Sequence, residues 1–374
     1  DKSFPQSAPR GALYLCAVSA VHPSRGIDRP LHALRVFASY AAHCGIDFRV
    51  RKTVSLKKAA PALAVGAFMI MLVVKPDYFL DSASRGLLLF ATSVLPAIFP
   101  FFFCSSLLTA MGAANALSKL GAKPVRVLFN AAPEGAYVLA LSMLSGYPIG
   151  AATVSDLYRR GVISEAEAKK ISSFTSTSGP IFILGTVGSA IFGDPVCGAV
   201  ILAAHYAAAL TTGLIFRGRK NSRPERPSAR IAVADTDSAL QQSIASSTLA
   251  MLAVGGYIVV GNMLIDAISL TGLSSAISAA MNENAAGCLR SLIYGAVEMT
   301  RGSLEAAKIP SRTLAVAVTS AVVSFGGLSV MLQSHAFLSK CNMRFSALLA
   351  RKCVQCASAF VYGLVISLII FTVL

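Results

Sequence analysis

The segment between Leu144 and Gly193 constrains the fold most, because its apolar runs are interrupted twice by residues that break helices. The interruptions are Ser145-Gly146-Tyr147-Pro148-Ile149-Gly150 and Thr175-Ser176-Thr177-Ser178-Gly179-Pro180. Glycine relaxes the backbone, proline lacks an N–H donor, and the residue before proline avoids the helical region. Inside hydrocarbon, the freed backbone groups must be satisfied by protein or by water in a cavity. We therefore predict a polar site at membrane depth.

The composition predicts an all-α polytopic membrane protein whose main surroundings are the lipid bilayer. The 374-residue chain is 55% hydrophobic and 13% charged, with a mean hydropathy of +0.66, whereas soluble domains carry roughly 25% charged residues. The formal net charge of +16 comes from basic residues in short loops beside apolar runs. This is the distribution of the positive-inside rule, so we expect no nucleic-acid partner.

Charge and hydropathy divide the chain into four parts. Residues 1–55 are a basic N-terminal tail, which we interpret as disordered or not native. Residues 56–216 form the first transmembrane half, 217–247 a basic cytoplasmic linker with an interfacial helix, and 248–374 the second half. Basic flanks place the N-terminus and the linker in the cytoplasm and the C-terminus outside.

The first half is predicted as a span, a hairpin, a broken span and a further span. Residues 59–74 span outward, 75–85 form an external loop, and 86–110 return with kinks at Pro96 and Pro100. Residues 136–152 form a re-entrant hairpin around the first break. Ser164 and Glu167 match the capping box of a short surface helix. Residues 171–192 cross through the second break.

The second half is predicted to repeat this order upside down. Residues 248–270 span outward, 285–300 form a hairpin, 313–338 carry a break at Gly326 and Gly327, and 353–374 span again. Arg351 and Lys352 are interpreted as the cytoplasmic flank of the last span. The pattern predicts two inverted-topology repeats with re-entrant hairpins and broken transmembrane helices. Paired interruptions of this kind point to a transporter's binding site.

These motifs carry a family resemblance. The stretches LSGYPIGA, DLYRRGVISEAEA, SFTSTSGPIFILGTVG, VEMTRG and SFGGLSV resemble the YlbJ-type sporulation integral membrane proteins, within the nucleoside-recognition, or Gate, membrane domains. That domain is similar to the core of concentrative nucleoside transporters, which implies inverted repeats meeting at midplane. The resemblance implies transport of dipicolinic acid from the mother cell toward the forespore, in the outer forespore membrane. Ser176 and Thr177 stand where the family often has an amide side chain.

A site for a planar dianion should offer N–H donors, hydroxyls and a cation. Half-helix N-termini supply donors and a partial positive charge, and glycines let a ligand approach the backbone. Arg301 is the expected cation, with the alternative that it forms an interfacial pair with Glu298. The predicted substrate-binding residues are Ser145, Gly146, Tyr147, Gly150, Thr175, Ser176, Thr177, Ser178, Gly179, Glu298, Thr300, Arg301, Ser324, Gly326, Gly327 and Ser329.

Other sequence features leave the following expectations. His205 and His335 are interpreted as packed, hydrogen-bonded histidines, with proton coupling as the alternative. Cys353 and Cys356 have metal-site spacing but no partner pair nearby, so we expect no metal.

We find no phosphate loop, HExxH or GxSxG motif and predict no enzyme. No cofactor is expected, while a coupling H⁺ or Na⁺ and a homo-oligomer stay open. The functions considered are an anion transporter, a nucleoside transporter and a membrane scaffold for spore-envelope assembly.

Overall fold

The computed structural model describes residues 56–218 and 236–373, and every regular element in these ranges is helical. The predicted N-terminal tail and residues 219–235 of the predicted linker lie outside the described residues. The all-α prediction is confirmed.

The first part of the chain forms α1 Leu56–Val74, α2 Pro76–Leu89, a π-helix Phe90–Val94, α3 Leu95–Ala110, α4 Ala113–Phe129, α5 Glu134–Ser145, α6 Ile149–Arg159, α7 Glu165–Phe174, a π-helix Ile181–Ile191 and α8 Pro195–Ile215.

The second part begins with the longest helix of the described chain, which has 35 residues. Its elements are α9 Thr236–Leu270, α10 Leu273–Ala280, α11 Glu283–Val297, α12 Met299–Ala306, α13 Arg312–Phe325, α14 Gly327–Leu338, a 3₁₀ turn Ser339–Cys341 and α15 Phe345–Val373.

Several of these helices are long and apolar enough to cross a membrane. Four qualify within the described residues, namely Pro195–Ile215, Asp237–Leu270, Arg312–Cys341 and Phe345–Thr372. Two bent helix pairs, broken at Lys75 and at residues 130–133, raise the number to six if each is one span. An α-helix needs about 20 apolar residues to span the hydrocarbon core. The architecture is therefore that of a multi-pass membrane protein, and the inverted relation of its halves stays a prediction.

The predicted external loop at residues 75–85 is wrong. Only Lys75 leaves the helical conformation, with φ −130° and ψ 62°, and α2 begins at Pro76. Proline suits the first turn of a helix because its missing N–H would have no intrahelical acceptor there. The charged residues of this stretch therefore lie on a helix.

Two predicted boundaries in the second half also differ from the structure. The predicted interfacial helix and the following span are one continuous helix, α9. Residues 236–254 contain neither glycine nor proline, so nothing in the local sequence ends the helix at 247. The last helix begins at Phe345, and Arg351 and Lys352 consequently lie two turns inside α15. Their interpretation as a membrane flank is wrong.

The helix breaks occur where glycine, proline and hydroxyl residues predicted them. The chain leaves the helix at 146–148 between α5 and α6, and at 175–179 after α7. Glu298 separates α11 from α12, and Gly326 separates α13 from α14 with φ 80°. The predicted cap of α7 is also present, since the Ser164 side chain accepts a hydrogen bond from the Glu167 amide at 3.3 Å.

Candidate functional site

The two breaks of the first half pack directly against each other. A Cβ atom on Gly146 would lie 2.3 Å from the amide nitrogen of Gly179, and one on Gly150 would lie 2.1 Å from the carbonyl oxygen of Thr175. Gly146 also has φ 84°, in the region that favours glycine. No other residue type permits this approach, so the glycines join the two breaks into one element.

The two breaks of the second half are joined in the same way. A Cβ atom on Gly327 would lie 2.8 Å from the carbonyl oxygen of Val297 and 2.9 Å from that of Gly295. At Gly326 the added atom would lie 3.1 Å from the Val330 side chain. The predicted role of Gly326 and Gly327 was to let a ligand approach, but both glycines face protein atoms. They are needed for the packing of the breaks.

His205, on α8, connects the breaks of the two halves. Its Nε2 atom accepts a hydrogen bond from the backbone N–H of Ser178 at 2.8 Å. Its Nδ1 atom lies 2.7 Å from the hydroxyl oxygen of Ser324. Because a backbone N–H can only donate, Nε2 carries no proton and Nδ1–H donates to Ser324. The geometry therefore fits a neutral, buried histidine that ties two breaks together.

Lys352, on α15, is the buried basic residue of this region. Its side chain is 1% exposed, and its Nζ atom donates to the Tyr147 hydroxyl at 2.7 Å, the Ser324 carbonyl at 3.1 Å and Gln355 Oε1 at 3.4 Å. Three neutral acceptors match the three donors of an ammonium group. Gln355 in turn donates to the Ser176 carbonyl at 2.9 Å. Lys352 thus contacts breaks from both halves.

Lys352 has no anionic partner among the residues that the structure describes. All ion pairs found in these ranges involve other residues, and the Lys352 ammonium lies 4.1 Å from the ring centroid of Tyr147. A buried charge is normally paired, because its desolvation is costly. Within membrane segments an ionisable residue is a functional candidate by default. Sequence reasoning missed Lys352, although the apolar run 345–350 before it shows that the charge falls inside a helix.

A cavity opens between the four breaks and two apolar helices. Seven of the predicted site residues line it, from all four breaks: Ser145, Tyr147, Ser178, Gly179, Glu298, Thr300 and Ser329. Gln333 also lines it, and the opposite wall is apolar, with Ile98, Phe101, Phe182, Val254 and Ile258. The cavity therefore combines a polar face at the breaks with an apolar face suited to a flat ring.

Glu298 introduces a negative charge into this cavity. Its Oε1 atom accepts the Thr300 amide and its Oε2 atom accepts the Arg301 amide, each at 3.0 Å. Both bonds favour the ionised carboxylate and complement the N-terminal dipole of α12. The first turn of α12 is therefore capped by the protein's own carboxylate, so its amides are not the ligand donors that we expected.

Arg301 does not line the cavity. Its NH2 atom lies 3.0 Å from Asp266 Oδ1, and Arg85 NH2 lies 2.8 Å from Asp266 Oδ2. The three side chains form a charged cluster in which Asp266 is buried. Arg301 therefore lies outside the cavity, and its guanidinium pairs with Asp266 and not with the Glu298 side chain. No local pattern predicts this pairing, because Asp266 lies 35 residues before Arg301.

The remaining predicted residues lie close to the cavity without lining it. Gly150, Thr175 and Ser176 line a smaller pocket that shares Tyr147 with the main cavity. The Thr177 hydroxyl is buried and has no hydrogen-bond partner. Gly146 and Ser324 hold the breaks in place, as described above. The structure thus groups the predicted residues around Tyr147, with Arg301 as the exception.

Long apolar helices, with a cavity at their breaks, define a multi-pass integral membrane protein. The chain is 28% identical over 338 residues to the sporulation integral membrane protein YlbJ of Bacillus subtilis (strain 168), covering 80% of this chain and 81% of the relative. This similarity supports the predicted resemblance to the YlbJ-type sporulation integral membrane proteins. No family model matches the chain, and no solved structure matches it.

Proposed function

We propose that the protein moves a small polar solute across the membrane, and that the solute is dipicolinic acid. The observation that carries the proposal is the meeting of four helix breaks, far apart in sequence, around one cavity. Broken helices at membrane depth are retained where the irregular backbone lines a site. A scaffold would need neither the cavity nor the buried lysine.

The charge and shape of the cavity support a planar anion. Lys352 donates a hydrogen bond to Tyr147, which lines the cavity, and all three of its hydrogen-bond acceptors are neutral. An approaching carboxylate would supply the missing anion, and the hydroxyls of Ser145, Ser178 and Ser329 lie on the same wall. The apolar side chains opposite would cover an aromatic ring. Lys352 takes the role that we predicted for Arg301.

The family supports the biological setting of the proposal. The relative is named for sporulation and for the membrane. For YlbJ-type proteins the resemblance implies transfer of dipicolinic acid from the mother cell, across the outer forespore membrane. A transporter in that membrane would need a site for a dianion that excludes neutral metabolites.

A nucleoside is the second candidate, and Glu298 is the observation that favours it. A carboxylate in the cavity repels a dianion but accepts hydrogen bonds from the hydroxyls of a sugar. Transport of dipicolinate therefore requires that Glu298 becomes protonated, or that a cation accompanies the substrate. This requirement ties the anion proposal to a coupling H⁺ or Na⁺.

Uptake into liposomes that contain the purified protein tests both candidates. We expect saturable uptake of labelled dipicolinate well above that of protein-free liposomes, with little uptake of uridine. Uridine uptake without dipicolinate uptake would establish the nucleoside alternative. If the folded protein moved neither compound with a proton or sodium gradient in either direction, the transport proposal would fail and the scaffold would remain.

A further inference from the structure

A second cavity lies in the same helices, displaced toward the end of the bundle where α9 begins. On α9 the central cavity contacts Val254 and Ile258, whereas the second cavity contacts Gln242, Ser243 and Ser246. At 1.5 Å per residue, the two sets of α9 residues lie roughly 18 Å apart along the helix. α3 and α14 also line both cavities. Both cavities therefore lie between α3, α9 and α14.

The charged residues of this second cavity are mainly basic. Arg159, Arg160 and Lys340 line it together with a single acid, Asp156. Asp156 accepts from Arg160 Nε at 2.7 Å and lies 3.7 Å from Arg159 NH2. Three positive charges against one negative charge leave an excess of two. The cavity therefore has the charge that a dicarboxylate requires.

The guanidinium groups of Arg159 and Arg160 carry N–H donors for such a ligand. Asp156 engages Arg160 through Nε, and no hydrogen bond of the terminal NH₂ groups of Arg160 is found among the described residues. Guanidinium groups bind carboxylates in a two-pronged arrangement. The Arg159 side chain is 56% exposed, so the cavity reaches the surface of the bundle. A ligand in solution can therefore meet these groups.

A buried hydroxyl in the same cavity independently indicates a ligand. Ser243 is 1% exposed, and its Oγ atom has no hydrogen-bond partner. Serine in a helix commonly donates to a carbonyl one turn earlier, as Ser246 does to the Ser243 carbonyl at 3.2 Å. A buried hydroxyl without a partner loses hydrogen-bond energy unless a water or ligand supplies one. Ser243 is one of the residues that line the second cavity.

The two cavities are separated by packed side chains. Met251, on α9 between their lining residues, is 2% exposed and belongs to the main hydrophobic cluster of the bundle. Ala250 beside it belongs to the same cluster. A solute in the second cavity therefore reaches the central cavity only after these residues move.

We propose that the second cavity, lined by Arg159, Arg160, Lys340 and Ser243, is a separate capture site for small dicarboxylates at the linker end of the protein. The proposal rests on the proposed function only for the identity of its natural ligand. Capture there would concentrate the anion before it passes Met251 to the central cavity. The positive-inside rule predicts that this end faces the cytoplasm, where a substrate bound for export would be collected.

A single tryptophan can report binding at this site, because the chain contains none. Phe337 lines the second cavity but not the central one, and Phe337→Trp in purified full-length protein supplies the reporter. We expect a saturable fluorescence change on titration with dipicolinate at low salt. In the Trp background, Arg160→Gln with Lys340→Gln should weaken binding about tenfold or more, as lost charge-assisted bonds imply.

Matched variants separate the capture site from other effects. Lys119→Gln with Arg344→Gln removes the same charge from exposed positions outside the cavity and should leave the affinity unchanged. Lys340→Gln alone keeps the Arg160–Asp156 pair, so it provides a second test if the double variant does not fold. Its affinity for dipicolinate should also fall.

Two results would overturn the capture site, namely no saturable signal in the Trp parent, or unchanged affinity in both cavity variants. Uptake assays distinguish this failure from failure of the proposed function. Binding at the reporter without transport would support the capture site and reject dipicolinate transport. Transport without binding at the reporter would support dipicolinate transport and reject the capture site.

Discussion

Arg301 and Lys352 both lie next to a helix break, but their partners differ. Arg301 is 31% exposed on its side chain and pairs with the carboxylate of Asp266, which also binds Arg85. Lys352 is 1% exposed and has three neutral acceptors. A basic side chain that forms an ion pair with a carboxylate of the protein has a structural role. A buried basic side chain without such a partner is a candidate to bind an anionic ligand. The partners of a charge, more than its position in the sequence, indicate its role.

The largest change in stability is expected when Asp266 is removed from the Arg301 cluster. Asp266→Asn would leave two guanidinium groups beside a buried neutral residue. Breaking a buried pair costs roughly 3–5 kcal/mol, and the partial exposure of both arginines reduces this to about 1–3 kcal/mol. Thermal unfolding in detergent measures the effect. Asp81→Asn, which removes an exposed partner of Arg85, is the control and should change little.

Tyr147→Phe tests the Lys352 region at nearly constant volume. It keeps the ring in the cavity wall but removes the acceptor at 2.7 Å from Lys352. Loss of a hydrogen bond to a charged group costs about 1.5–3 kcal/mol, so dipicolinate uptake should fall by an order of magnitude. Tyr206→Phe is the control, because its hydroxyl donates to the Met143 carbonyl. Equal loss in the two variants would remove the special role of Tyr147.

Glu298→Gln separates the two candidate substrates. Removing the negative charge should raise dipicolinate uptake near neutral pH by a few-fold and flatten its pH dependence, because a protonated carboxyl is no longer needed. In the wild type, uptake should increase as the pH falls and Glu298 gains a proton. Glu283→Gln, at an exposed position, should behave as the wild type. Reduced dipicolinate uptake together with reduced uridine uptake would instead favour the nucleoside.

Thr177→Val is expected to have the smallest effect. The Thr177 hydroxyl is buried without a partner, so an isosteric methyl group should leave stability unchanged or raise it by up to about 1 kcal/mol. Uptake should not change if the hydroxyl has no role. A clear fall in dipicolinate uptake at unchanged stability would show that Thr177 contacts the substrate, and the site would then extend beyond the cavity residues.

The helix breaks could be predicted because their cause is local. Glycine, proline and clustered hydroxyls change the backbone wherever they stand, so the breaks at Gly146, Gly179 and Gly326 follow from the residues themselves. The same reasoning identified seven residues that line the cavity. It failed for the long helix α9, where a change in polarity at residue 247 suggested a boundary that no helix-breaking residue supports.

The charges could not be assigned in this way, because their partners come from distant segments. Lys352 contacts Tyr147, which lies 205 residues earlier in the chain. Beside Arg351 it resembled a cytoplasmic flank, and only the packing of α15 shows that it is buried. Arg301 was predicted to contact the ligand, but its guanidinium pairs with Asp266, which is not near it in the sequence. Breaks are properties of the backbone, whereas the role of a charge depends on tertiary contacts.

The most direct test is dipicolinate uptake by Lys352→Met and Arg301→Gln in liposomes with equal amounts of folded protein. Both changes remove one basic side chain, but only the first removes a contact with Tyr147, which lines the cavity. We predict that Lys352→Met lowers uptake about tenfold or more, as expected for a lost charge-assisted contact, while Arg301→Gln stays near the wild type. Normal uptake by Lys352→Met, or a greater loss in Arg301→Gln, would contradict Lys352 as the cation of the site.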